Sequence, residues 1–224
     1  MTVKVVVARW TENMDWTKKL NNVLIYTKGR PEDNNGAKYT GYYTLDSNYN
    51  TIYTKNVGRE GHTFYKYIYD NYDNLEDHTV FLQGNPFPHG ADQQRRCVIS
   101  KIQDWQKNKN LKLDFELVAE THLWSNTGLD PHHDIPIADV YKRLFNVNPL
   151  DQKNHKKSNF DFIFGAGGQF IVSKKNILKR SRDFYLKIVK MLENNINPME
   201  GYPIERLHPV ILGNYMDKGK IFPK

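Results

Sequence analysis

The sequence predicts a single α/β domain, with a mostly parallel central sheet flanked by helices. Three observations predict it. Val3–Ala8 is a β-branched run of strand length, the pattern of a strand buried in a parallel sheet. Through the first half of the chain, strand-like runs alternate with segments of helical periodicity, the order expected of a parallel sheet with helices on both faces. No linker interrupts the 224 residues, a length that one core can serve.

The elements follow in order. After Val3–Ala8 comes the polar loop Arg9-Trp10-Thr11-Glu12, and Asp15 is placed to N-cap a short helix through Leu20. Val23–Tyr26 is a second strand, broken by Lys28-Gly29-Arg30-Pro31. Glu32–Asn50, rich in Asn, Gly and Tyr, reads as an extended loop with room for a short hairpin. Thr51–Thr54 is a third strand and Asn56–Gly61 a turn. From about His62 to Tyr72 the aromatics recur at helical spacing, which makes them core contacts first of all. Thr79–Leu82 is a fourth strand, Arg95–Lys107 a helix and Leu113–Ala119 a strand. Ile137–Phe145 is a helix and Asn146–Asn159 a polar loop. Phe160–Phe164 and Gln169–Val172 are short strands, Ile177–Leu192 is the clearest helix, and Ile204–Leu212 is the last. Pro203 suits the first turn of that last helix and Gly213 the position just past its end.

Composition narrows the function classes. With 14 Tyr, 11 Phe and 4 Trp, the chain carries enough aromatic surface to rule out global disorder. No run approaches the roughly 18 apolar residues of a membrane span, and the opening MTVKVVVAR lacks a leader's apolar core and cleavage pattern. The one cysteine, Cys97, permits no internal disulfide, and the expected location is the cytoplasm. The net charge of +7 is compatible with a solvated lysine-rich surface or with an anionic ligand such as a nucleotide.

In a mostly parallel sheet, ligands bind at the carboxyl ends of strands, so the loops after Ala8, Thr54 and Leu82 matter most. In Asn56-Val57-Gly58-Arg59-Glu60-Gly61 two glycines allow close backbone approach, and Arg59 offers a forked contact to phosphate or carboxylate. The alternative there is a tight turn in which Arg59 and Glu60 pair. The strand tip Gln83-Gly84-Asn85-Pro86-Phe87-Pro88-His89 offers neutral groups for hydroxyls, or else is a rigid crossover. Gly165-Ala166-Gly167-Gly168-Gln169 is no dinucleotide fingerprint, and its glycines let the backbone pass something bulky, a strand or a substrate. Glu205, early in its helix, suits the helix dipole or serves as a general base, with His208 nearby.

The segments VVVARWTENMDW, IYTKG, KNVGREGHTFYKYIYDNYDNL, HTVFLQGNPFPH, GGQFIVSKKNILKRSRDFY and IERLHPVIL occur in this order from about Val3 to Leu212. They resemble a family of short domain-of-unknown-function proteins of fungi and large DNA viruses. That family in turn is similar to GT-A glycosyltransferases: a first strand ending in a polar loop, an N-x-G-R-(D/E) turn before a helix, and GGQFIVSKKNI before an FY helix. The resemblance implies one GT-A-like domain, with a nucleotide-binding half over about 1–110 and an acceptor half over about 111–224. Its substrates are a nucleotide-sugar donor (UDP- or GDP-sugar) and a glycan or other hydroxyl acceptor. It implies that the Ala8, Arg9, Trp10, Glu12 loop and the Asn56, Gly58, Arg59 turn hold base and ribose. Gln83, Gly84 and Asn85 then lie by the diphosphate, while His89, Gly167, Gly168 and Gln169 face sugar or acceptor. Glu205 and His208 are the catalytic candidates. Metal-dependent GT-A enzymes carry Asp-x-Asp at the strand tip, and this chain has Gln83-Gly84-Asn85 there. Manganese or magnesium is therefore dispensable, with Arg or Lys neutralising the diphosphate, or it takes ligands from His89, Asp92 or His208.

Two other readings compete with sugar transfer. The positive charge with tyrosines interleaved over Tyr65–Tyr72 would suit a nucleic-acid-binding module. His89, Asp92, His122, His132 and His133 would serve a metal-dependent hydrolase, although adjacent histidines on a loop point apart.

Overall fold

The computed structural model describes residues 1–28, 47–87, 95–118, 136–148, 165 and 167–213. They form a single α/β domain around a six-stranded mixed sheet flanked by helices. The strands are β1 (Val3–Arg9), β2 (Val23–Lys28), β3 (Thr51–Thr54), β4 (His78–Gln83), β5 (Phe115–Leu117) and β6 (Phe170–Ser173). The helices are α1 (Arg59–Asp70), α2 (Arg95–Lys107), α3 (Ile137–Phe145), α4 (Lys174–Ile177), α5 (Arg182–Leu192) and α6 (Gly201–Leu212).

The sheet order is β3-β2-β1-β4-β6-β5. The four first-half strands run parallel, as the alternation of strands and helices predicts. β6 then runs antiparallel to both β4 and β5, so the mostly parallel sheet expected from the sequence is in fact mixed. The parallel prediction rested on strand–helix alternation, which continues through β5, α3 and β6 without fixing the direction in which a strand runs.

Period-2 side-chain alternation divides the core in two. Val6, Ala8, Phe81, Phe170 and Val172 face a large cluster shared with α1, α3, α5 and α6. Val5, Val7, Val80, Leu82 and Ile171 face a smaller one under α2 and the 3-10 turn Asp15–Lys19. β1 contributes to both faces, as its unbroken β-branched run foretells. The recurring aromatics of α1 are core: Phe64, Tyr65, Tyr67 and Ile68 are buried, and Tyr69 and Tyr72 pack on the same cluster.

Several element boundaries differ from expectation: β2 runs on to Lys28, β5 is trimmed to Phe115–Leu117 and α6 begins at Gly201. The Asp15 segment is a 3-10 turn flanked by Met14, and the Asp15 carboxylate pairs with Lys18 and Tyr49 rather than capping. The long helix over Ile177–Leu192 is two helices, because Ser181 caps α5 by accepting the Phe184 N–H at 3.2 Å. Ser173 caps α4 in the same way, accepting from Asn176. α1 begins at Arg59 rather than near His62. The proposed strand Phe160–Phe164 and the loop over residues 149–159 lie outside the described residues. Among the described residues, no helix is long and apolar enough to cross a membrane.

Candidate ligand-binding site

Register brings the strand ends level. Ala8 sits opposite both Tyr26 and Gln83, so the chain leaves β1, β2 and β4 on one rim. The order reverses there: β2 lies to one side of β1 and β4 to the other. Loops diverging at such a point leave a crevice. A cavity of about 470 Å3 occupies it. β1 and its loop supply Ala8, Arg9, Trp10 and Glu12, and β2 supplies Lys28. The turn after β3 and the first residues of α1 supply Asn56, Arg59 and Glu60. The tip of β4 supplies Gln83, Gly84 and Asn85, and the loop after α5 supplies Ile196 and Asn197.

Nine of the ten donor-binding residues inferred from the sequence thus line one cavity. Gly58 is the tenth, and its part is structural. It sits at φ 63°, its N–H bonds the Asn195 carbonyl at 2.9 Å, and it starts α1. Arg59 follows at φ 50°, a conformation uncommon for a residue with a side chain. Both ends of its peptide are held: its N–H reaches the Ile196 carbonyl at 3.2 Å, and the Lys28 ammonium donates to its carbonyl and to that of Val57. The Arg59 guanidinium lies 4.1 Å from the centre of the Tyr202 ring, with Glu60 at 3.8 Å.

The β1 loop is equally braced. Arg9 is 1 % exposed; its Nε donates to the Glu12 carbonyl at 2.8 Å and its Nη1 to Thr27 at 2.7 Å. The Trp10 N–H donates to Glu12 Oε2 at 2.7 Å, while the Trp10 indole stands 40 % exposed at the rim. Gly84 lets the β4 tip close on Glu12, since a Cβ there would lie 2.4 Å from Oε2. Trp16 Nε1 donates to the Gly84 carbonyl at 3.1 Å.

Gln169 does not face the cavity. It is fully buried, accepting the Gln83 N–H at 3.3 Å and donating to the Pro86 carbonyl at 3.1 Å, so it braces the β4 tip from behind. Gly167 and Gly168, both at positive φ, pass over Glu205 and His208. The Gly167 N–H donates to Glu205 Oε1 at 3.0 Å, and a Cβ on Gly168 would meet Glu205 Cγ at 2.9 Å and His208 Nε2 at 3.2 Å. The bulky neighbour that the glycine run accommodates is therefore this pair. Glu205 Oε2 accepts from Arg206 Nη1 at 2.9 Å. His208 Nδ1 is 2.7 Å from the Tyr65 hydroxyl, and its ring packs on Phe64, Tyr65 and Phe170.

Burial raises the Glu205 carboxyl to about 6, with the negative charge of Glu60 adding and Arg206 and Arg59 opposing. Glu60 lines the cavity; Glu205, 7 % exposed, is not among the lining residues and is linked to it through the charge of Glu60. Burial, with nearby Arg206, lowers His208 to about 3; burial, with Lys28 and Lys66, lowers His62 to about 4. Both histidines stay neutral in the fold. Their contribution to stability is complete above the ordinary value of 6.5 and is lost as pH falls toward 4 and 3. Glu205 acts oppositely: its raised value favours the protonated form, a contribution present below 4.5 and lost as pH rises through about 6. Between pH 7 and pH 5 the unfolded chain gains about one and a half protons at the two histidines, and the folded chain gains a little under one at Glu205. Stability should fall by about 2–3 kcal/mol over that range. Urea melts at the two pH values check this, and equal midpoints would refute it.

A divalent cation needs six or more oxygen ligands, several of them commonly carboxylates. The described lining offers two carboxylates. One oxygen of Glu12 is held by Trp10, and Glu60 lies beside Arg59. Among the described residues no cluster of three His, Cys, Asp or Glu side chains could hold a metal. His208 is sealed in its aromatic surround. His89, Asp92, His122, His132 and His133 lie outside the described residues. Among the described residues, then, the lining supplies two carboxylates and no third acidic ligand.

Sequence reasoning missed four lining residues. In the sequence Lys28 reads only as part of a strand break, although ending a parallel strand places it on this rim. Glu60 reads there only as a partner for Arg59. Ile196 and Asn197 left no signal, because nothing in the order of elements shows that the loop after α5 returns to the strand tips.

Residues 5–218 match the family described as "Protein of unknown function (DUF3431)". No curated protein and no solved structure matches the chain.

Proposed function

The chain belongs to the DUF3431 family, and from its cavity we propose that it is a glycosyltransferase of GT-A type, moving a sugar from a nucleotide-sugar to a hydroxyl acceptor. The observation that carries this reading is the convergence of the β1, β3 and β4 loops on one cavity at the point where the strand order reverses. The order 3-2-1-4 is that of doubly wound nucleotide-binding sheets, which bind their ligand at that position. The volume of about 470 Å3 lies in the range of small-molecule sites.

Within this reading Trp10 offers the base an apolar face at the rim. Glu12 and Asn56 are acceptor and amide groups suited to ribose hydroxyls. Gln83 and Asn85 lie where the diphosphate and sugar enter. Glu205, poised at about 6, takes the proton of the acceptor hydroxyl, and Gly167 orients it. His208, 1 % exposed, packs behind Glu205 on the same helix rather than reacting. Of the tyrosines that favoured a nucleic-acid module, Tyr65 and Tyr67 are buried in the core and Tyr69 and Tyr72 are half-buried against it, which leaves little ring face for stacking on bases.

Thermal melts with UDP-, GDP- and TDP-sugars test the proposal. A ligand at 100 times its Kd should add about 2.7 kcal/mol, a rise of roughly 5–11 °C in a domain of this size. No shift and no turnover across the panel, with and without manganese, would overturn it.

A further inference from the structure

We infer, resting on the nucleotide-sugar reading of the cavity, that the diphosphate is held by a cationic clasp of Arg59 and Lys28 and that donor binding needs no divalent cation. The first ground is the mismatch at the β4 tip. A metal-held diphosphate needs carboxylates there, and this chain places Gln83, a glycine tucked against Glu12, and Asn85.

The second ground is what stands across the cavity. Among the described residues, the Arg59 guanidinium touches the face of Tyr202 and lies 3.8 Å from Glu60, too far for a hydrogen bond. Its forked donors are open to a ligand, and a guanidinium matches phosphate oxygens in pairs. Lys28 ends β2 on the same lining, and its ammonium is tied to the carbonyls on either side of Gly58. One cation thus fixes the backbone that aims the other. The Arg59 backbone keeps its uncommon conformation because its N–H and carbonyl are both engaged. Such preorganisation means that little freedom is lost when the ligand binds.

The charges on the lining favour an anion. Arg9, Lys28 and Arg59 face Glu12 and Glu60. Arg9 is spent on the Glu12 carbonyl and Thr27; Lys28 gives two of its three N–H donors to the Val57 and Arg59 carbonyls and keeps its charge on the lining, while Arg59 keeps its fork. Two positive side chains in a partly enclosed site do the work a divalent cation would do in balancing a diphosphate.

Titration calorimetry of the full chain with uridine, UMP and UDP, and with guanosine, GMP and GDP, all in EDTA, tests the clasp. In one series the diphosphate should bind at least about 10-fold tighter than its nucleoside. Added manganese should change that affinity by less than about 3-fold. Arg59→Met, which keeps a stem on Tyr202, should erase the diphosphate gain, so that the variant binds UDP or GDP no tighter than the matching nucleoside. A gain that appears only with manganese overturns the clasp and leaves the nucleotide reading standing. A gain that survives Arg59→Met also overturns it. If no member of either series binds with or without manganese, clasp and nucleotide reading fall together. Should Arg59→Met fail to fold, the wild-type series in EDTA decides alone.

Discussion

Gly58→Ala should lower the unfolding free energy by about 4 kcal/mol or more, while Gly61→Ala, in the same motif, should change it by less than about 1 kcal/mol. At Gly58 two costs combine. The residue sits at φ 63°, where a side chain costs about 1–2 kcal/mol. The added Cβ would also lie 2.5 Å from His62 Cβ, 2.6 Å from the Leu192 carbonyl oxygen and 2.8 Å from Leu192 Cβ. None of these is the movable end of a flexible side chain, so α1 and α5 would have to part where they pack. Gly61 is inside α1, and its added Cβ would meet Leu192 Cδ1 at 3.4 Å and Ile204 Cγ2 at 3.7 Å, ordinary contacts. There the better helix propensity of alanine offsets any crowding. Urea or thermal melts of the two variants check the contrast. Similar losses at both positions would mean that α1 does not start in the packed, left-handed turn described. A folded Gly58→Ala protein should also bind nucleotide poorly, because Arg59 hangs from that turn.

That motif shows what the sequence made legible. Two glycines flanking Arg-Glu suggested a turn approached closely by something, and strand–helix alternation placed it at the carboxyl rim with the Arg9–Glu12 and Gln83–Asn85 loops. Those three segments do converge on one cavity. Each is local to a strand end, and local signals are what period and turn chemistry report. The illegible parts are long-range. Nothing in NNINP said that Ile196 returns to bond Arg59, and nothing in the glycine run said that its bulky neighbour was Glu205. β6 reads as a strand by pattern, but a strand's direction comes from its connections, so the mixed sheet was not readable from composition. The Ile177–Leu192 stripe ran through a real interruption because Ser181 is polar on a face where the apolar pattern tolerates a gap, and only its cap bond reveals the break.

Glu205→Gln should cut sugar transfer by about 100-fold or more while leaving donor affinity within about 2-fold. The carboxylate has the proton affinity of a general base. Burial sets it at about 6, so it is ionised at neutral pH yet basic enough to accept a proton. The Gly167 N–H and Arg206 hold its two oxygens in place. Glutamine keeps the volume and the carbonyl that accepts from Gly167, but turns an amide toward the Arg206 guanidinium. A stability loss of about 1–3 kcal/mol is therefore expected, and the variant is assayed below its melting point. Loss of activity alone would not separate a base from a structural ion pair; the pH profile does. In the wild type kcat/KM should rise with pH through about 6, as Glu205 gives up its proton. In Glu205→Gln the residual rate should show no such limb. If the limb persists in the variant, or if KM rises while kcat holds, Glu205 is the counter-ion of Arg206 and the base must be sought elsewhere. Glu60, which lines the cavity and pushes the Glu205 value upward, would then be the carboxylate to replace next.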